Sequence, residues 1–209
     1  MKQLVIITFF LLLLTCKKDV STNYVILSGT IQNTKSKHLT IDNVDFKSEL
    51  IINEDGTFSD TLHIPENGFY TMTIGREFTP VYLAFNDNLR VSLNAKQFDQ
   101  TVSYSGKGAI ENNYLASKTL YNNQITGNSI QFFALEEANF KTELDKMQSA
   151  NNTLLDGLVD ADEDFITSEK QHLMYDRYAQ INNYSQRHGY YAKKEHFEVS
   201  EHFIPVELK

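Results

Sequence analysis

The chain has 209 residues, of which 41% are hydrophobic and 22% are charged, a composition typical of a folded globular protein. Its 27 acidic residues outnumber its 19 lysines and arginines, and the formal net charge of -8 disfavours nucleic acid as a partner because phosphate backbones are also negative. The single cysteine excludes an intramolecular disulfide, a Cys-x-x-Cys redox pair and a cysteine-rich zinc site.

Residues 1–16 have the pattern of a bacterial lipoprotein signal peptide. Lys2 supplies positive charge, and the almost entirely apolar segment 4–14 is shorter than the roughly 20 residues that a membrane-spanning helix needs. The segment Leu13-Leu14-Thr15-Cys16 resembles a lipobox, in which the cysteine thiol is acylated. We therefore expect lipid on Cys16 and a membrane as the partner of the processed chain.

One residue departs from the usual lipobox. Thr15 stands where glycine, alanine or serine is common, directly before the cysteine. Two alternatives are therefore kept: an ordinary signal peptide with an incidental cysteine, and a short uncleaved anchor.

From Tyr24 to about Tyr104, apolar and polar residues alternate with a period of two, which is typical of strands with one buried face. The turn sequence Asn53-Glu54-Asp55-Gly56 favours a tight hairpin, and Glu66-Asn67-Gly68 and Asn86-Asp87-Asn88 have a similar character. No helical pattern intervenes. Residues 22–107 therefore predict an antiparallel β domain, either a sandwich or an open barrel.

After Gly106-Lys107-Gly108 the apolar spacing becomes helical, and residues 108–209 predict a helical domain, so the fold class is α+β. Gly127 and Asn151-Asn152 are the expected breaks between helices. The apolar positions that define three helices are Ile110, Tyr114, Leu115 and Tyr121 in the first, Phe133, Phe140, Leu144 and Met147 in the second, and a run from Phe165 towards His188 in the third.

The final segment, from Phe197 to Lys209, is rich in apolar residues on both sides of Pro205. Such side chains are normally covered by other parts of a protein. We therefore expect the natural protein to continue beyond this segment. The apolar residues concerned are Phe203, Ile204, Val206 and Leu208.

The sequence contains no GxSxG, HExxH or GxGxxG motif. Gly106-Lys107-Gly108 lacks the other residues of a phosphate-binding loop and is expected to be a bend between sheet and helix. His188, His196 and His202 are spaced by eight and six residues, which does not place them on adjacent helical turns. They are expected to be solvated surface histidines, and no metal or other cofactor is predicted.

Three further features have structural or modification-related interpretations. The acidic run 160–164 resembles a calcium loop only in charge, and we expect it to begin the third helix. Asp60-Thr61-Leu62 resembles the Asp-Ser/Thr-apolar sequence used for O-glycosylation in Bacteroidota, which makes Thr61 an expected glycan acceptor. Late tyrosines either line a ligand groove or pack with their hydroxyls at the surface; they are Tyr175, Tyr178, Tyr184, Tyr190 and Tyr191.

Several segments together resemble the N-terminal region of Bacteroidota lipoproteins of the TlpA-like thioredoxin type. The segments are Gly29-Thr30-Ile31, residues 53–62, Gly68-Phe69-Tyr70, Tyr104–Ala109 with Asn112-Asn113-Tyr114-Leu115, and Phe197-Glu198-Val199-Ser200. The resemblance implies that the chain is truncated before a thioredoxin domain, whose Trp-Cys-x-x-Cys site carries thiol-disulfide reductase activity in that family. This sequence has no tryptophan and no second cysteine, so no catalytic residue can be carried over.

Two hypotheses follow for the function. The first is a non-catalytic, lipid-anchored module of the cell envelope, on the periplasmic side or at the outer membrane, with another envelope protein or a second copy as partner. The second is an independent envelope lipoprotein that binds a ligand or a protein. An enzyme with an unrecognised polar site ranks below both.

Overall fold

The structure is a computed structural model that describes residues 23–127 and 129–204. Cys16 lies outside these residues. Strands come first and helices follow, which confirms the α+β prediction. The strands are β1 (Val25–Gln32), β2 (His38–Asp42), β3 (Lys47–Ile51), β4 (Thr57–Leu62), β5 (Gly68–Ile74), β6 (Glu77–Leu83), β7 (Asn88–Asn94) and β8 (Ser103–Lys107). The helices are α1 (Phe98–Thr101), α2 (Ala109–Thr126), α3 (Ser129–Ala134), α4 (Glu137–Asp156) and α5 (Glu163–Tyr191).

The eight described strands form two four-stranded sheets and no closed barrel. The first sheet has the order β4-β1-β7-β8, and the second has the order β3-β2-β5-β6. Neighbouring strands are antiparallel except β1 and β7, which run parallel. These two strands approach closely at Gly29, where an added Cβ would lie 2.1 Å from the carbonyl oxygen of Val91. The absence of a side chain is therefore required at this position.

The three predicted turn sequences all connect a strand of one sheet to a strand of the other, so the hairpin prediction was wrong for all three, including Asn53–Gly56. This turn leads from β3 in the second sheet to β4 in the first, and Gly56 adopts the expected positive φ of 83°. Hairpins occur instead at Asn43–Phe46, between β2 and β3, and at Gly75, between β5 and β6. An Asp-Gly sequence specifies a chain reversal but does not determine which strands pair.

A short helical segment also interrupts the β region, contrary to the prediction. It consists of a 3-10 turn, Ala95–Gln97, and α1, and it joins β7 to β8. Phe98 from this segment is buried in the sandwich core, so the connection contributes to packing. The strand residues that alternate inward supply most of that core, including Val25, Leu27, Ile41, Leu62, Met72, Val81, Leu83 and Leu89.

The helix boundaries agree only in part with the prediction. The bend at Gly106-Lys107-Gly108 is confirmed, because α2 begins just after Gly108, which has a φ of 92°. The acidic run serves the start of α5 as predicted, since Asp162 Oδ1 accepts a hydrogen bond from the Phe165 amide at 2.9 Å. Gly127 ends α2. Asn151-Asn152 is not a break, because it lies inside α4, where Asn151 is buried.

Phe133 and Phe140 belong to different helices, which corrects their assignment to one. Phe133 lies in α3, and Phe140 lies in α4. Their rings still meet, with centroids 5.6 Å apart, in an aromatic cluster of the helical region. The periodicity therefore identified residues that share a core, although the chain bends between them.

The cover expected for Phe203 is supplied by helices of this chain. Its ring stacks on Tyr184 at a centroid distance of 4.7 Å and lies 6.2 Å from Phe140. The Ser200 amide donates a hydrogen bond of 2.8 Å to Glu137 Oε1, which holds the preceding segment against α4. Val206 and Leu208 lie outside the described residues.

The first turns of α2 cover one edge of each sheet. Asn112 accepts a hydrogen bond from the Tyr82 amide at 2.9 Å and donates to the Tyr82 carbonyl at 2.8 Å. Asn113 makes the same pair of bonds with Tyr104, at 2.9 and 2.8 Å. Tyr82 lies on the edge strand β6 and Tyr104 on the edge strand β8. Each asparagine side chain thus replaces a missing neighbouring strand.

Candidate functional site

A polar cleft lies between the outer face of the second sheet and helices α2 and α5. Its volume is about 510 Å³. On β5, Tyr70 and Met72 point into the sandwich core, so the alternate residue Phe69 faces the helices. The Phe69 ring packs at centroid distances of 5.3 Å from Tyr82 and 5.7 Å from Phe165. This aromatic contact holds α5 against the sheet and forms an apolar wall beside the cleft.

A buried ion pair joins the two helices at this cleft. Glu169 of α5 is fully buried, and its Oε1 accepts hydrogen bonds from Lys118 Nζ at 2.6 Å and from the Tyr114 hydroxyl at 2.9 Å. Tyr114 and Lys118 are four residues apart on α2 and therefore lie on the same face of that helix. Burial of a carboxylate requires such compensation, because the charge has lost its solvating water.

The second carboxylate oxygen of Glu169 has a different environment. Oε2 is buried and has no hydrogen-bond partner among the described residues. Nδ1 of His172 lies 3.9 Å away, which is too long for a hydrogen bond. The His172 side chain is 46% exposed, and its ring centroid is 4.3 Å from that of Phe69. A half-exposed imidazole therefore stands beside an unfilled buried acceptor.

Acceptors outnumber cations in the described lining of the cleft. Besides Glu169, the lining includes the carboxylates of Asp42 and Asp176, whereas Lys118 is its one lysine or arginine. Asn122 also lines the cleft, and its buried Oδ1 has no hydrogen-bond partner in the described part of the chain. The electrostatic balance favours a ligand that carries positive charge and N–H or O–H donors.

The Tyr114 hydroxyl is a donor in this site and is not suited to act as a base. Burial, followed by the neighbouring charge of Glu169, raises the pKa of Tyr114 well above its ordinary value. Lys118 is held by the same carboxylate. The arrangement of these groups is therefore suited to binding and orienting a molecule.

A second acidic cleft, of about 370 Å³, lies where the strands lead into α2. Asp87 Oδ2 accepts a hydrogen bond from the Ala84 amide at 2.9 Å, and Asp87 Oδ1 lies 3.8 Å from Lys107 Nζ. Glu111 Oε1 accepts from the Asp162 amide at 2.8 Å. Because a backbone amide occupies one oxygen of each carboxylate, Asp87 closes the turn between β6 and β7, and Glu111 links the start of α2 to the start of α5.

The residues singled out from the sequence do not converge on the cleft. Thr61 lies exposed on β4, in the other sheet, and stays a predicted glycan acceptor. His196 and His202 are exposed as expected. In the described ranges no group of three or more His, Cys, Asp or Glu residues is placed to hold a metal ion.

The expectation of a solvated surface position was wrong for His188. This residue is fully buried, and its Nδ1 lies 2.9 Å from the carbonyl oxygen of Phe133, so Nδ1 carries the donated proton. The ring packs between Tyr184 and Phe197, at centroid distances of 4.9 and 4.4 Å. Its position on the inner face of α5 makes His188 part of the helical core.

The late tyrosines divide between packing and exposure. Tyr184 is buried and donates a hydrogen bond of 2.6 Å to the Leu135 carbonyl. Tyr175 and Tyr190 are 59% and 78% exposed. The polar cleft is instead formed by Lys118, Glu169 and His172, which sequence reasoning did not single out. In the sequence, the only sign of these residues is that charged and aromatic side chains recur at helical spacing on one face. This pattern is common on ordinary surface helices.

Comparison with known proteins gives no relative for this chain: no protein-family model, no curated protein and no solved structure matches it. The resemblance to TlpA-like thioredoxin lipoproteins therefore stays a prediction. Within residues 23–127 and 129–204, no helix is both long enough and apolar enough to cross a membrane.

Proposed function

We propose that the chain is a non-catalytic, lipid-anchored module of the cell envelope. The observation that carries the proposal is the position of the only cysteine, Cys16, at the end of a signal-like segment. Thiol-disulfide exchange requires an attacking thiolate and a second thiol that resolves the mixed disulfide. Lipid on Cys16 would occupy the one thiol of this chain, so its role would be attachment.

The proposed anchor would keep the sandwich close to the membrane. From Cys16 to Val25, where β1 begins, there are nine residue steps. A fully extended segment of this length spans at most about 30 Å. The module would therefore act at the membrane surface, where it positions or binds another envelope component.

Membrane fractionation of Cys16→Ala tests the anchor. We expect the original protein in the membrane fraction and the variant in the soluble fraction, because the variant has no sulfur to acylate. Thr15→Ala is the matched control, since it alters the adjacent position and keeps the thiol. Intact-mass measurement of the processed chain should show lipid on Cys16.

Two results would contradict the anchor. One is a processed chain with an unmodified, solvent-reactive thiol. The other is membrane association of Cys16→Ala equal to that of the original protein. A third measurement, insulin reduction by the purified chain, would contradict the non-catalytic role if it gave measurable turnover.

A second candidate function is that of an envelope lipoprotein that binds a ligand. The polar cleft favours it, because Glu169 Oε2 and Asn122 Oδ1 are buried acceptors without hydrogen-bond partners among the described residues. Clefts with a few converging polar groups beside an aromatic wall are typical binding sites.

A further inference from the structure

We propose that the polar cleft binds a small organic cation, an alkyl ammonium or guanidinium compound, whose N–H donors fill Glu169 Oε2 and pair with Asp176. The inference rests on the second candidate function, ligand binding, and is independent of lipid on Cys16.

The two oxygens of the Glu169 carboxylate have unequal environments. Oε1 accepts from both Lys118 Nζ and the Tyr114 hydroxyl, whereas Oε2 accepts from none of the described residues. Buried charged acceptors are nearly always hydrogen-bonded, because leaving one unfilled is energetically costly. A ligand N–H that donates to Oε2 would satisfy this buried acceptor, and the hydrogen bond would lower the free energy of binding.

The described lining of the cleft carries more negative than positive charge. Asp42, Glu169 and Asp176 contribute three carboxylates to the described lining, and Lys118 is already paired with one of them. A cation in the cleft would still meet the uncompensated carboxylates of Asp42 and Asp176. The same two carboxylates would repel an anion.

His172 controls access to the buried oxygen Oε2 of Glu169. His172 follows Glu169 by three residues on α5, so its imidazole lies over the same part of the cleft. That side chain is 46% exposed, so a ligand that reaches Oε2 would displace it from the Phe69 ring into solvent. Its displacement would open a path to Oε2 along the Phe69 ring, against which the methylene groups of an alkyl cation can pack.

Calorimetric titration of the full chain in detergent micelles tests this inference with two probes of equal length. Cadaverine has an ammonium group at each end, and 1,5-pentanediol has a neutral hydroxyl at each end. We expect saturable binding of cadaverine and no saturable binding of the diol. Glu169→Gln should weaken cadaverine binding by about tenfold or more, the effect expected for loss of a buried charge-assisted hydrogen bond. Asp176→Asn should weaken it by about two- to fivefold, because the Asp176 carboxylate is exposed and its ion pair is screened by solvent.

Asp156→Asn is the matched control. Asp156 is exposed at the end of α4 and is not among the residues that line the cleft, and its substitution changes the net charge by the same amount. Cadaverine affinity should be unchanged in this variant. Asp176 is also exposed, so its substitution tests the site even where Glu169→Gln disturbs folding, which thermal melting detects.

Three outcomes would overturn the inference. Equal binding of the diol would show that the site recognises neutral hydroxyl groups. Equal weak binding of cadaverine to all variants would show only diffuse attraction to a chain of net charge -8. Lack of saturation with cadaverine would show that the cleft takes no such cation. None of these outcomes alters the fractionation of Cys16→Ala, so failure of this inference and failure of the lipid anchor are distinguishable.

Discussion

The β-sandwich and the helical region bury different kinds of residues. The sandwich core consists mainly of apolar side chains that alternate along the strands, such as Met72 and Leu89, each fully buried. The helices also bury several polar or charged side chains. Burial of such a group is costly unless the group is hydrogen-bonded or paired with an opposite charge. The buried polar residues of the helices are Glu111, Asn112, Lys118, Asn151, Glu169 and His188, whereas the β region contributes Thr79 and Asp87.

This difference shows how each region is specified. A strand with alternating residues has one apolar face, and any well-packed sheet can cover that face. The polar contacts of the helices require particular partners at hydrogen-bond distance, such as Glu169 with Lys118 and Asn112 with Tyr82. Polar contacts therefore specify how α2 meets the sheet edges and how α5 meets α2, whereas apolar packing supplies much of the stability.

Breaking the buried ion pair should have the largest effect. Glu169→Leu leaves the nearly buried ammonium group of Lys118 without its carboxylate partner. We expect the free energy of unfolding to fall by about 3–5 kcal/mol. The double variant Lys118→Met, Glu169→Leu should recover most of this loss, because it removes both charges and keeps similar volume. Urea unfolding followed by circular dichroism measures the difference.

Lys118→Met alone completes this comparison. It leaves Glu169 buried with the Tyr114 hydroxyl as donor, so we expect a loss similar in size to that of Glu169→Leu. If the double variant is as unstable as the two single variants added together, Lys118 and Glu169 do not act as a pair and the charge-based account of the helical region is wrong.

Removing an asparagine contact at the edge of a sheet should have the next largest effect. Asn112→Ala eliminates both hydrogen bonds to Tyr82 and a third to the Gly108 carbonyl, in a fully buried position. We expect the free energy of unfolding to fall by about 3 kcal/mol, because the buried backbone N–H and C=O of Tyr82 lose their hydrogen-bond partners. Asn113→Ala should cost less, about 1–2 kcal/mol, since Asn113 is only half-buried and water can replace its side chain.

Equal losses in Asn112→Ala and Asn113→Ala would contradict this ranking. Ser117→Ala is a suitable control, because Ser117 is exposed on the same helix and its hydroxyl bonds only within that helix. Hydrogen exchange at the Tyr82 amide should quicken in Asn112→Ala and stay slow in the control.

The strands were predictable because burial on one face leaves a period-two pattern, as in Tyr70, Met72 and Ile74. Their pairing was not predictable. The parallel neighbours β1 and β7 are separated by most of the β region, and a local pattern carries no information about that contact. The same limit explains why Asn53–Gly56 was predicted as a hairpin.

The cleft was less predictable than the fold. Lys118 and Glu169 lie 51 positions apart, and each looks like an ordinary surface residue in its own helix. Asn112 and Asn113 belong to the segment that carried the family resemblance, yet their role at the sheet edges became visible only once Tyr82 and Tyr104 were brought beside them. Residues of this kind are defined by tertiary contacts.

A smaller effect than that of Asn112→Ala concerns Asp87, the buried carboxyl in the turn between β6 and β7, beside Lys107. Burial is the main cause that raises its pKa from 3.8 to about 6, and the Ala84 amide and Lys107 oppose the change. Below about pH 4 the group is protonated in both folded and unfolded states. As the pH rises through 6, the folded state must ionise a buried carboxyl, so the stability that the protonated form contributes is lost.

Asp87→Asn should remove this pH dependence, because an asparagine oxygen can still accept from the Ala84 amide and cannot ionise. Between pH 4 and pH 7 the unfolding free energy of the original protein should fall by roughly 2 kcal/mol relative to that of Asp87→Asn. The original protein is compared with the variant because Asp55 and Glu136 have lowered pKa values. Their contributions to stability are lost as the pH falls, which is the opposite pH dependence to that of Asp87. Asp45→Asn, an exposed change of equal charge, should leave the pH profile of the original protein unaltered. Parallel profiles for the original protein and Asp87→Asn would mean that the connection tolerates the charge of Asp87, in which case Lys107 compensates it more strongly than its distance of 3.8 Å predicts.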